Sequence, residues 1–282
     1  MAVLRSHTPM ALFATVLMTL LTLAPAATAQ QSAAARLFDT LRMADIIEVM
    51  HKEGLTYGHD LGEEWIPERT GPGWDAEVAR VYDQDQMLET MKSVFAKTLG
   101  ETDTTALEAF FVSDTGQTIL TLESSARAAF LDTTLEEAAK ERLAVLEKDG
   151  DGRLKQVKDF VEANDYVERN VVGAMNSNLA FYEGLFSVGG RLGNRMPDEL
   201  LEDVWAQEPQ IRESTTEWLL AYLTMSYQPL TDAQLEAYRD LLLTDEGKAM
   251  TYAMFEGFDV MYVDISRNLG KVLGQYVNQV DL

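Results

Sequence analysis

The chain has 282 residues, with 46 acidic against 23 basic side chains, a net charge of −23 at pH 7, and no cysteine. A field of that sign disfavours nucleic acid and anionic membrane surfaces. The missing thiols remove disulfides, thiolate nucleophiles and zinc–thiolate sites together, so stability must come from an ordinary core built from a composition that is 46% hydrophobic.

The N-terminus reads MAVLRSHTPMALFATVLMTLLTLAPAATAQQ. A single positive charge at Arg5, an apolar run from about Ala11 to Leu23, and Ala27-Thr28-Ala29 before Gln30 make a secretory signal peptide over 1–29, cleaved after Ala29. The apolar run is shorter than the ~20 residues that span a bilayer. No comparable run recurs later, so no membrane span is expected after cleavage, and the periplasm is the expected compartment. Loss of Arg5 takes the 23 basic residues to 22 against 46 acidic, a mature net charge of −24. The simplest reading of that charge is a solvated acidic coat that keeps an exported protein soluble.

From residue 30 onward apolar residues recur at spacings of three and four, and alternating strand-like runs are nearly absent. Helices are expected at 33–54, 75–82, 84–98, 103–112, 114–130, 133–148, 153–187, 197–207, 210–226, 231–243 and 245–279. Glycine and proline gather at Gly54–Gly73 and Ser187–Pro197, which should be irregular. The acidic segment EKDGDGRL, Glu147 to Leu154, imitates the first half of a calcium-binding EF-hand loop. Its twelfth position is Lys158, where a bidentate Glu is required, so a helix-breaking turn is expected instead.

FFVSDTGQTI, Phe110 to Ile119, aligns with LLLTDEGKAM, Leu241 to Met250. Both read as a hydrophobic helix end, then Ser/Thr-Asp-x-Gly, then a new helix. WDAEVARVY also resembles PDELLEDVW, and ADIIEV resembles NDYVER. The expected architecture is all-α, with two tandem, related helical halves, 30–150 and 151–282, packed as a bundle-like array. In the shared turn Ser113 and Thr244 suit N-caps, with Asp114 and Asp245 placed to favour the positive helix end. Gly116 and Gly247 then either occupy the third helical position, where glycine is tolerated because a neighbouring backbone leaves no room for a Cβ, or sit left-handed just past the preceding helix. Both readings make the turn architectural.

These residues resemble the domain of unknown function 2059 family, found widely in Gram-negative bacteria. Its hallmark is a pattern like E-L-x-x-x-x-x-F-Y-x-S-x-x-G-x-K. Phe110, Ser113 and Gly116 match its Phe-x-x-Ser-x-x-Gly part. LTDAQLEAYRDLLLTDEGKAM matches the upstream part and supplies Gly247 and Lys248, with Leu241–Leu243 and Thr244 in place of the aromatic pair and serine. EVMHKEGLTYG and VERNVVGAMNSNLAFYEGL look like segments of longer, two-half members. The resemblance implies an exported all-helical protein and implies no activity.

The polar-rich helical stretch ANDYVERNVVGAMNSNLAFY, Ala163 to Tyr182, supplies the first candidate site residues. Turning residues through 100° each from Asn164 places Glu168 and Asn178 on the same stripe as Val171, Met175 and Leu179. Asn170, Asn176 and Ser177 fall away from that stripe, and Arg169 and Gly173 lie opposite. Because an unpaired buried amide or carboxylate is costly, Asn164, Glu168 and Asn178 are expected to meet partners: a polar network fixing the register of the halves, or a ligand. Glu48-Val-Met-His51 has the Glu-x-x-His spacing of helical di-metal sites, and the repeat sets Glu48 opposite Glu168. The matching second histidine is absent, with Val171 in its place. No metal and no cofactor is therefore expected. No Gly-x-Ser-x-Gly elbow supports a hydrolase.

Tyr252, Met254, Met261 and Tyr262 would suit either an adaptable apolar groove or a core. The leading functional expectation is a non-catalytic binding or structural module of the cell envelope, with an unidentified protein or small-molecule partner. The alternative is an enzyme using Glu168, with Glu48 and His51, as acid–base or metal-binding groups in a cleft between the halves.

Overall fold

A computed structural model of the protein describes residues 33–189 and 197–279. Residues 1–29, expected from the sequence to form a signal peptide, and residues 190–196 of the second expected irregular segment lie outside the described residues. The described chain is helical throughout, with no strand. α1 covers 33–40. It is followed by α2 (Met43–Trp65), α3 (Pro72–Val81), α4 (Gln84–Leu99), α5 (Thr105–Phe111), α6 (Asp114–Ala129), α7 (Thr133–Asp149) and α8 (Gly152–Ala163). The chain continues through α9 (Tyr166–Ser187), α10 (Pro197–Ala206), α11 (Glu208–Tyr227), α12 (Asp232–Leu242) and α13 (Asp245–Asn278).

Short polar side chains start many of these helices. Asp83 accepts from Gln86 N, Asp132 from Thr134 N and Asp151 from Leu154 N, and Thr231 with Gln234 closes a capping box. Glu147–Leu154 is a turn of this kind: Gly150, left-handed at φ 67°, ends α7, and Asp151 caps α8. Ser113 Oγ accepts from Gly116 N at 3.2 Å, and Thr244 Oγ1 accepts from Gly247 N at 3.0 Å. Each glycine occupies the third helical position, where a Cβ would collide with the carbonyl oxygen of Phe110 or Leu241. The helix before the turn therefore crosses backbone to backbone over the helix after it.

α13, 34 residues long, is the central element and packs on α9 and α4, while α11 packs on α6, α7, α8 and α9. α9 and α13 approach so closely that a Cβ on Gly184 would strike Arg267 O and one on Gly270 would strike Phe181 O. A single buried cluster runs from Leu37 in α1 to Leu273 in α13, with Trp74, Phe95, Phe111 and Phe160 fully enclosed. A small second cluster joins Val171 and Met175 of α9 to Val204 of α10.

The structure departs from the expected elements in three places. Gly54–Gly73 is not an irregular segment from end to end, because α2 continues to Trp65. Gly54, Gly58 and Gly62, spaced by four, form one face where Tyr82, Val78 and Trp74 sit against the bare backbone, and Trp74 Nε1 donates to Gly58 O at 2.8 Å. The helix expected over 33–54 is interrupted at Arg42, left-handed at φ 55°, whose guanidinium bonds Asp45 Oδ2 at 2.6 and 2.8 Å. The helix expected over 153–187 is likewise interrupted: Asn164 ends α8, and Asp165 turns left-handed at φ 58° before α9.

Candidate functional site

The break at Asp165 resets the helical phase, so residues beyond it do not continue the face that Asn164 belongs to. Asn164 is 8% exposed and its Nδ2 donates to Phe160 O at 2.9 Å, so it closes the end of α8. Glu168 does not lie on the buried stripe: its side chain is 51% exposed and pairs with Arg212 Nη2 at 2.8 Å. Glu48 is exposed and bonds Lys52 one turn along α2 at 2.7 Å. His51, half-buried, donates Nδ1–H to Tyr82 O at 2.6 Å, capping the end of α3. Of these candidates only Glu168 and Asn178 reach the wall of the principal cavity. Among the described residues no group of three or more His, Asp and Glu side chains is placed to hold a metal ion.

That cavity, about 930 Å³ and partly open to solvent, is lined by residues of α2, α5, α6, α9, α11, α12 and α13. Glu123 of α6 lies on its wall. Tyr227 of α11 donates its hydroxyl to Glu123 Oε1 at 2.6 Å, and Tyr222, one turn earlier, donates to the Glu123 main-chain carbonyl at 3.1 Å. The carboxyl is deep in the molecule yet only half-buried, because it faces the cavity rather than packed side chains. Burial pushes its pKa up to about 7, and the hydroxyls of Tyr227 and Tyr238 offset part of that shift by stabilising the charged form. The burial that raises Glu123 also raises Tyr166, Tyr222, Tyr227 and Tyr238, with the Glu123 charge adding to it. All four phenols are therefore neutral at physiological pH.

Aromatic rings form the rest of the wall. Trp218 and Tyr222 stack at 5.1 Å, and the Arg127 guanidinium lies over Trp218 at 4.8 Å while pairing with Glu53 of α2. Burial raises the Glu53 pKa despite the opposing pull of Arg127. On the facing side Tyr166 meets Phe255 at 5.7 Å, and the Arg169 guanidinium lies 5.6 Å from the Phe255 ring. Met254 and Tyr262 of α13 line the cavity as well, whereas Met261 is buried in the core. Aromatic and aliphatic faces around one protonatable carboxyl and a few hydroxyls can hold an apolar molecule and fix the orientation of one polar group on it.

Sequence reasoning passed over Glu123, Arg127 and the tyrosines around them. A signal was present: with Ile119 as zero, Ala126 and Phe130 fall within about 20° and Glu123 at about 40°, so a carboxylate stands inside the apolar stripe of LESSARAAF.

Residues 85–144, from α4 through most of α7, match the family described as an uncharacterized protein conserved in bacteria (DUF2059). The match includes the Ser113–Gly116 turn and both Glu123 and Arg127. No curated protein and no solved structure matches the chain.

Proposed function

We propose that the protein is an exported helical binding module of the cell envelope, built from two related halves in tandem, whose aromatic-lined cavity receives a small organic molecule with an apolar body and one polar group. The observation that carries this reading is the position of Glu123: a carboxyl held by tyrosine hydroxyls on the wall of an aromatic cavity of about 930 Å³. Protein interiors are close-packed and leave few voids larger than a water molecule. A space of ligand-pocket size, lined by aromatic rings around a carboxyl with no ion-pair partner among the described residues, is therefore better suited to an occupant than to packing alone. The signal-peptide pattern over 1–29 supports export to the periplasm, and the shared Ser/Thr-Asp-x-Gly turn supports the tandem halves. Among the described residues no helix is long and apolar enough to cross a membrane. The enzymatic alternative is weaker, because Glu48 and His51 do not line this cavity and each is held by its own partner.

The test is a fluorescence titration of the mature protein with N-phenyl-1-naphthylamine, an uncharged probe with an apolar body. Saturable one-to-one binding is expected. Ser124→Trp, which fills the cavity beside Glu123, should abolish it. Absence of saturable binding, or binding that Ser124→Trp leaves intact, overturns the cavity assignment. Fractionation with N-terminal sequencing tests export, for which a periplasmic chain starting at Gln30 is the expected result.

A further inference from the structure

Resting on the cavity reading above, we infer that the group received by Glu123 is cationic: an amine or quaternary ammonium carried on an aromatic or aliphatic body. Among the described residues Glu123 takes part in no ion pair, and its only side-chain partners are phenolic hydroxyls. A carboxylate withdrawn from water with donors but no countercharge gains most from a ligand that brings the missing charge. The cavity's own cations do not supply it. Arg42 is held by Asp45, Arg127 is held by Glu53 and lies over Trp218, and Arg169 lies over Phe255.

The surroundings favour the same sign. The acidic lining residues Glu123, Asp165, Glu168, Glu256 and Asp259 outnumber those three arginines; Glu168 is paired with Arg212 outside the lining, and Arg42 and Arg127 are likewise paired with carboxylates outside it, which leaves four acidic groups against one arginine. The rings of Tyr166 and Tyr222 line the cavity together with the carboxyl, and aromatic rings attract a desolvated cation. The strongly acidic chain would also raise the local concentration of cations and lower that of anions around the opening. Arg127 and Arg169 each bury an Nε without a hydrogen-bond partner, and Arg169, which has no carboxylate partner among the described residues, is the group on the wall that would select an anion instead.

Three probes with one aromatic body separate these cases: 1-naphthylmethylamine, 1-naphthylmethanol and 1-naphthoate, titrated calorimetrically into the mature protein at pH 8. The amine should bind at least about 10-fold more tightly than the alcohol, as a charge-assisted hydrogen bond in a desolvated site implies. Naphthoate should bind most weakly. Glu123→Gln should abolish the amine's advantage over the alcohol, and Glu123→Asp should keep a reduced preference. Equal affinity for amine and alcohol in the wild type, a preference for naphthoate, or an amine preference that survives Glu123→Gln overturns the inference while the cavity reading stands. Failure of all three probes to bind overturns both. The wild-type comparison decides the matter even if a variant fails to fold.

Discussion

The Tyr227 hydroxyl donates to Glu123 Oε1 at 2.6 Å and ties α11 to α6 at the wall of the cavity. Tyr227 is 1% exposed, so Tyr227→Phe removes one oxygen and little volume. With Glu123 ionised, loss of a hydrogen bond to a charged group should cost about 2 kcal/mol. Once the carboxyl is protonated, the lost bond is an ordinary one worth about 1 kcal/mol. Urea denaturation of Tyr227→Phe should therefore show a larger deficit at pH 8.5 than at pH 5. An equal deficit at both pH values would show that Glu123 does not change charge between them.

The raised pKa of Glu123 has its own consequence for folding. With a folded-state pKa of about 7 against an ordinary 4.5, the native state binds a proton that the unfolded chain has already released. The stabilising contribution is thus fully present below pH 4.5 and is lost as pH rises through 7. The groups facing Glu123 are Tyr166 from α9, Tyr222 and Tyr227 from α11, and Tyr238 from α12, with Arg127 one turn along α6. None of the tyrosines ionises in this window. Wild-type stability should fall between pH 5 and pH 8.5 by an upper limit of about 3 kcal/mol, reduced where cavity water solvates the carboxylate. Glu123→Gln should lose less over the same interval. The check is the difference between the two stability curves; parallel curves would remove Glu123 as the source.

The features legible in the sequence were those fixed within a few residues. Asp83, Ser113, Asp132, Asp151, Thr231 and Thr244 each announce a helix start, because an N-cap needs only its own next turn. Features that depend on a distant partner were hidden. Gly54, Gly58 and Gly62 read as helix breakers until Tyr82, Val78 and Trp74 are seen lying against them. Glu168 read as buried because the wheel was carried through Asp165, where one left-handed residue ends the phase relation. Glu123 stood visibly in an apolar stripe, but the tyrosines that complete its surroundings lie on α9, α11 and α12, more than forty residues away along the chain.

The α9–α13 contact should be intolerant of a single added methyl group. In Gly270→Ala the new Cβ meets the main-chain oxygen of Phe181, which cannot rotate away, so the helices must separate along a long shared seam. A loss of about 3 kcal/mol is expected, at the upper end for overpacking. Gly152→Ala is the control: its Cβ meets nothing within 4 Å at the start of α8, and the change should be neutral or stabilising by about 0.5 kcal/mol. Thermal denaturation of the pair measures both. A Gly270→Ala variant as stable as the control would mean that the two helices can shift apart freely.

Glu53 and Arg127 form the ion pair that joins α2 to α6 beside the cavity, with 30% and 17% of their side chains exposed. Glu53→Gln leaves the guanidinium over Trp218 without its countercharge. Breaking a fully buried pair costs ~3–5 kcal/mol, and the remaining exposure here lowers the expected loss to about 2 kcal/mol. The uncovered positive charge also lies one helical turn from Glu123, so affinity for 1-naphthylmethylamine should fall several-fold while affinity for 1-naphthylmethanol stays constant. A stability loss with no change in the ratio of the two affinities would confine the Glu53–Arg127 pair to holding α2 on α6. A shift in that ratio would mean that the pair also sets the charge balance around Glu123.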